Sequence, residues 1–364
     1  MPRATRGRTD KILMLSVIAI AVLGVVFLYS ATYEVGVSEQ LDPLVVKQAI
    51  WVLAGLVLMF AIAHSDYNRI LDFSYLLYAL NLGALLYILL FGSEHYGARR
   101  WIDLGPVSIQ PSEFMKITVI FVLASFLGAR REKIGTLSNF FLSLLLVSPA
   151  FLLIFLQPDL GTSLVIVPIL FAILFICGEK VKYILSVFGI ALASLPFLWG
   201  LLKDYQKARL MVFLNPDIDP LGAGYTIIQS KIAIGSGGLL GKGWLNGTQS
   251  YLKFLPERHT DFIFSVIGEE WGFVGGVFLL SLYCVYIARG IRIISLTQDV
   301  YARAIATGVI VLVAFQVLVN ISMTIGFMPV VGLPLPAISY GGSNTITTLI
   351  GAGFLLSISR KVVK

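Results

Sequence analysis

The chain has 364 residues, 57% of them hydrophobic and only 13% charged, with a formal net charge of +7. A soluble domain carries a charged fraction nearly twice as large, about 25%, so a soluble enzyme and a small soluble protein with one anchor are both excluded. A membrane β-barrel is excluded as well, because its strands would be short and would alternate apolar and polar residues.

A helix that crosses about 30 Å of hydrocarbon needs roughly 20 mostly apolar residues. Taken in chain order, such runs fall near 11–31, 45–63, 73–91, 113–128, 138–156, 160–177, 181–201, 263–288, 304–325 and 343–359. The expected fold is therefore an all-α polytopic integral membrane protein of about ten transmembrane helices, with 1–364 as a single transmembrane domain. The basic start MPRATRGRTDK runs into a full-length span and does not read as a cleavable signal. Cys177 and Cys284 both fall within expected spans and read as packing residues.

Orientation follows from Lys and Arg. With the N-terminus inside, the inner segments hold sixteen of them, from Arg3 to Lys364, and the short outer loops hold four: Lys47, Arg99, Arg100 and Lys116. Both termini are expected to be cytoplasmic. One long extracytoplasmic loop, about 202–262, then joins spans seven and eight. The net charge is mostly this topology signal and does not point to nucleic acid.

Three outer segments stand out along the chain. The first, 92–112, has turn residues and two adjacent arginines. The second, 202–262, is glycine-rich and carries two amphipathic stretches, YQKARLMVFL and YTIIQSKIAI, suited to the membrane interface. The third, GFMPVVGLPLPAISYGG at 326–342, has three prolines and no charge. Irregular apolar backbone at a membrane must be buried in protein or line a cavity, which makes this a re-entrant or cavity-lining segment.

Ionisable groups in or near spans are costly, so each needs a reason. Glu113 and Lys116 open the fourth span; Asp159 sits in a turn between two spans; Asp261, Glu269 and Glu270 open the eighth. Arg99, Arg100, Arg209, Lys231 and Lys242 lie in outer loops. Both signs on one side of the membrane suit an outward-open cavity for an anionic ligand. Each residue also has a structural reading. Thr260 or Asp261 could cap a helix, Ser112 could cap the one that opens the fourth span, and Glu113 suits the positive end of that helix. Glu113 and Lys116 are spaced as a local ion pair. Asp159 could hold an Asx turn, and Arg99 and Arg100 could be interfacial snorkelers. Glu269 and Glu270 lie too far into their helix for capping and read as partnered structural acids.

GSGGLLGKG does not match the phosphate-binding loop pattern, because Ser236 stands where its first glycine belongs and Gly243 where Ser or Thr belongs. No nucleotide is expected. His64, His95 and His259 lack ligand spacing.

The blocks GARRWIDLG, QPSEFMK, QPDLGTSLV, DPLGAGYTIIQSKIAIGSGGLLGKGWLNGTQS, FLPERHTDFIFSVIGEE and GLPLPAISYGGS occur in that order. Together they resemble the SEDS family (shape, elongation, division and sporulation) of bacterial membrane proteins, from the first span to the last. GTQSYLKFLPERHTDFIF is closer to the elongation branch than to the division branch. The resemblance implies a peptidoglycan glycosyltransferase in the cytoplasmic membrane that polymerises lipid II at the outer face. Implied partners are a class B penicillin-binding protein and elongation-complex proteins of the MreC and MreD type.

The resemblance further implies Asp261 as the catalytic residue, with Glu113, Lys116 and Asp159 at functional positions and Arg209 as a less secure match. In chemical terms Asp261 would accept a hydroxyl proton. Lys116, Arg99, Arg100 and Arg209, with Lys231 and Lys242 nearby, would offset charge on a departing diphosphate. A divalent cation, magnesium or manganese, could share that task, held by Asp261 and the diphosphate. Two other readings remain at this point: a flippase for the same lipid, and a non-catalytic scaffold.

Overall fold

The computed structural model describes residues 9–33, 41–95, 98–105, 107–201, 207, 211–220, 222, 224–252 and 254–362. These residues form α1 (Lys11–Thr32), α2 (Pro43–His64), α3 (Tyr67–Leu71), α4 (Ser74–Phe91), β1 (Ser93–His95), β2 (Ala98–Leu104), β3 (Val107–Ile109), α5 (Pro111–Ala129), α6 (Leu137–Leu156), α7 (Leu160–Cys177) and α8 (Val181–Leu201). Beyond α8 come α9 (Tyr225–Gly237), α10 (Thr248–Tyr251), α11 (Ile263–Leu296), α12 (Val300–Thr324) and α13 (Gly342–Val362). Among the described residues eight helices (α1, α2, α4 to α7, α11 and α12) are long and apolar enough to cross a membrane. The other two expected spans coincide with α8 and α13. In α8 the apolar stretch is shorter, Val181–Ser194. In α13 the first turns carry Ser343, Asn344, Thr345, Thr347 and Thr348, all buried against protein, which lowers its hydropathy.

Short oxygen side chains fix many of the helix starts. Asp10, Asp42, Asp66, Thr136, Asp159 and Asp299 each accept a hydrogen bond from a first-turn backbone N–H, satisfying donors that a helix leaves open. The centre of the bundle is α5 and α12, whose apolar windows are 78% and 72% buried, against 28% for α2 and α4. Outer helices turn Leu53, Leu80, Leu145 and Leu192 outward, an apolar surface suited to lipid.

The first outer segment is not merely a loop. β1, β2 and β3 form a small antiparallel sheet in which Ser93 pairs with Trp101 and Ile102 with Ile109. The sheet is a small addition to the all-α membrane domain, which is helical as expected.

A second departure lies in α11, which breaks at Gly272 (φ 62°, ψ −160°), a conformation open essentially to glycine. The glycine-rich segment 238–243 fills the break. Lys242 and Gly243 donate their N–H groups to the carbonyls of Glu269 and Glu270, while Phe273 and Val274 donate to those of Gly238 and Leu239. Four backbone groups of α11 on either side of the kink are thus paired. Glu269 accepts from Lys242 Nζ at 2.7 Å, from Thr248 Oγ1 at 2.9 Å and from the N–H of Gln249, and Glu270 accepts from the Ser30 hydroxyl. Both acids are partnered and structural, as their depth in the helix implied.

Charge gathers at two ends. At one end Asp10 pairs with Arg289 at 2.6 Å, Lys361 pairs with Asp66 at 2.8 Å, and Tyr67 donates to Asp299. The other end holds the starts of α5, α7, α11 and α13 and the candidate site.

Candidate active site

The segment 326–342 organises this end. Leu333, Leu335, Ala337, Ile338 and Ser339 are buried. The hydroxyl of Tyr283 donates to the carbonyl of Pro336 at 2.6 Å, and a Cβ added to Gly24 would lie 2.9 Å from Ile338 Cα. Gly24 is eight residues from the end of α1, or about 12 Å at 1.5 Å per residue. The segment therefore dips into the bundle, as its prolines and lack of charge led us to expect. Gln48 holds its far end, donating to Ser339 O and Thr345 Oγ1 and accepting from the N–H of Gly341.

Asp261 lies on the chain that enters α11 and is tied to this segment. The backbone N–H of Tyr340 donates to His259 O at 2.9 Å, and Ser339 Oγ donates to Thr260 O at 2.6 Å. Asn320, near the end of α12, donates to the carbonyls of Asp261 (2.9 Å) and Leu333 (2.7 Å). The half-buried Asp261 side chain lies beside exposed Gly332: a Cβ built on Gly332 would sit 3.4 Å from Asp261 Oδ2. Gly332 has φ +71°, so a glycine both permits the turn and leaves room beside the carboxylate. The capping reading weakens here. Phe262 occupies the N-cap of α11 with no side-chain bond, and the Thr260 hydroxyl turns back to Glu257.

The other acids are structural neighbours of the same segment. Asp159 caps α7, accepting from the N–H of Thr162 at 3.1 Å, and so corrects the Asx-turn reading. Its Oδ2 also accepts from Gln110 Nε2 and Ser112 Oγ. Ser112 is therefore not a helix cap; Gln110 holds that position, and its N–H donates to Ser343 Oγ. Two residues beyond Asp159, a Cβ on Gly161 would lie 2.5 Å from the carbonyl oxygen of Val331. The starts of α5, α7 and α13 thus converge on the segment that flanks Asp261.

The cations are less free than their sequence positions suggested. Lys116 is fully buried and pairs with Glu113 at 2.7 Å, inside α5 rather than in an open cavity. Arg100, on β2, is no snorkeler: it donates to the carbonyls of Gln157 and Pro158, bracing the turn before Asp159. Lys242 is held by Glu269. Lys231 is exposed on α9, with its ammonium end over Gly326. Ser230 ties α9 to the same end, bonding Thr324 O at 2.6 Å and Ser265 Oγ at 2.7 Å. Arg209 and the Arg99 side chain lie outside the described residues.

Among the described residues, no three His, Cys, Asp or Glu side chains come together to hold a metal. A divalent cation shared between Asp261 and a diphosphate would need no such cluster. Sequence reasoning missed Asn320, Gln48 and Ser339. For Asn320 and Gln48 the available signal was an amide inside an apolar span, costly in lipid unless it bonds other segments.

The fold and site define a multi-pass membrane protein with one cluster of polar groups gathered around a re-entrant segment at one of its ends. The family model described as "Cell cycle protein" (FTSW_RODA_SPOVE) matches residues 10–364, and the chain belongs to that family. It is 42% identical over 351 residues to "Peptidoglycan glycosyltransferase MrdB" of Escherichia coli (strain K12), covering 96% of this chain and 93% of the relative. Among solved structures it resembles a chain described under "Structural coordination of polymerization and crosslinking by a peptidoglycan synthase complex", with TM-score 0.81, 37% identity and coverage of 97% and 98%. It also resembles the Thermus thermophilus rod shape determining protein RodA, with TM-score 0.72, 34% identity and 98% coverage of each chain.

Proposed function

We propose that this chain is a peptidoglycan glycosyltransferase that polymerises lipid II at the outer face of the cytoplasmic membrane during cell elongation. The observation that carries the reading is the half-buried Asp261 carboxylate, beside exposed Gly332, on a backbone fixed by Asn320 and Ser339. A base must hold its geometry to take a proton in the transition state, and this loop is braced from two sides.

In this mechanism Asp261 accepts the proton of the attacking sugar hydroxyl as the new glycosidic bond forms at the anomeric carbon of the donor. The bond from that carbon to the diphosphate breaks, and the electron pair leaves with the polyprenyl diphosphate. Lys231 is placed to meet that developing charge, with Arg99 and Arg209 as further candidates. Lys116, Arg100 and Asp159 serve by bracing α5 and α7. The excess of Lys and Arg at the opposite end, around Arg289, Arg360 and Lys361, supports placing that end in the cytoplasm. The likeness to a synthase-complex chain supports a class B penicillin-binding protein as partner, and elongation proteins of the MreC and MreD type belong to the same reading.

Purified protein incubated with lipid II, alone and with its transpeptidase partner, tests this. Glycan chains from wild type but not from Asp261→Ala are expected. Lipid translocation without polymer would establish a flippase instead, and neither activity would leave a scaffold.

A further inference from the structure

Four buried polar side chains between α5, α12 and α13 have atoms that bond nothing among the described residues: Glu113 Oε2, Gln316 Nε2, Asn320 Oδ1, and both Nδ2 and Oδ1 of Asn344. Their residues are 0–3% exposed. Such orphaned atoms are rare in folded proteins and costly.

Helix register brings three of them to one level. A Cβ on Gly308 would lie 2.7 Å from Ile120 side-chain carbons, and one on Gly351 would lie 3.0 Å from Val309 and 3.7 Å from Ile117. These contacts align α5, α12 and α13 at Ile120, Val309 and Gly351. Seven residues along a helix return to nearly the same face, with a drift of about 20°. Seven residues from those contacts, toward the Asp261 end, stand Glu113, Gln316 and Asn344. Asn320 follows one turn beyond Gln316, and its amide nitrogen holds the Asp261 carbonyl.

We propose that Glu113, Gln316 and Asn344 line a buried water-binding chamber, and that Gln316 and Asn344 are positioning residues for Asp261, acting through the hydrated network and Asn320. A buried water needs two to four polar partners. Here Gln316 Nε2 and Asn344 Nδ2 donate, while Glu113 Oε2, Asn344 Oδ1 and Asn320 Oδ1 accept. An apolar bundle has no packing need for these amides, and replacing them with leucine removes a desolvation cost.

This rests on the polymerase reading, and the experiment separates the two. Gln316→Leu and Asn344→Leu are purified, with Asn344→Ser and Gln316→Met as milder variants. Thermal unfolding is measured beside the kcat and KM of lipid II polymerisation. The expected result is a Tm equal to or above wild type, with kcat lowered at least tenfold, KM within about twofold, and partial rescue by Asn344→Ser. Retained activity at any Tm overturns the chamber, as does activity lost in step with a lowered Tm. An inactive wild type overturns the polymerase reading itself.

Discussion

The side-chain amide of Asn320 spans two chain segments: it donates to the Asp261 carbonyl at 2.9 Å and to the Leu333 carbonyl at 2.7 Å. One residue thereby sets the spacing between the aspartate and the re-entrant segment beside it. Asn320→Leu removes both donors and leaves two carbonyls to find other partners, at about 1–3 kcal/mol for each that stays unpaired. We expect a lower Tm and a fall of ten- to a hundredfold in kcat for lipid II polymerisation. Glycan product assays beside thermal unfolding check this. Wild-type kcat in a folded variant would show that Asn320 does not set the Asp261 position.

Glu113 and Lys116 form an ion pair inside the most buried helix, with side chains 1–3% exposed. Removing one partner strands the other charge among apolar side chains, a loss of about 3–5 kcal/mol, whereas replacing both with apolar residues of similar volume is often neutral. Lys116→Met alone should therefore unfold well below wild type, and the double variant Glu113→Leu/Lys116→Met should recover most of that loss. Denaturation of the two purified variants decides the matter. If the double variant is no more stable than the single, the pair is not coupled in this way.

Much of the fold was legible because lipid imposes one rule on all the spans: long apolar runs predict them, and among the described residues eight of the ten runs are helices long and apolar enough to cross, the other two coinciding with α8 and α13. The re-entrant segment was legible for the same reason, since three prolines and no charge leave 326–342 nowhere to sit but inside protein. The acids of the site were visible as ionisable residues in costly places. Their partners were not. Lys116 looked like a ligand for an anion because the sequence shows charge without burial, and Arg100 looked interfacial because carbonyl acceptors carry no sequence signature. Asn320 and Gln48 are neutral and escaped a search keyed to charge. The Gly272 kink was hidden because glycine-rich 238–243, which pairs with the broken helix, lies some thirty residues earlier and shares no pattern with it.

His259 stands two residues before Asp261, with its carbonyl bonded to the Tyr340 N–H and its ring centroid 6.1 Å from that of Tyr340. Burial lowers its pKa below the ordinary 6.5; Glu257 and Asp42 oppose that shift and Arg258 adds to it. The folded protein thus binds this proton less readily than the unfolded chain. The neutral ring carries no penalty above the unfolded value, about 6.5. As pH falls below that value the unfolded chain takes up the proton first, and stability is lost until pH reaches the lower folded value. Wild-type Tm should therefore drop between about pH 7.5 and 5.5, spanning the ordinary histidine pKa. His259→Gln, which cannot titrate, should flatten that part of the curve. Parallel melting curves over this range would show the difference, and equal slopes for the two proteins would assign the acid sensitivity to other groups.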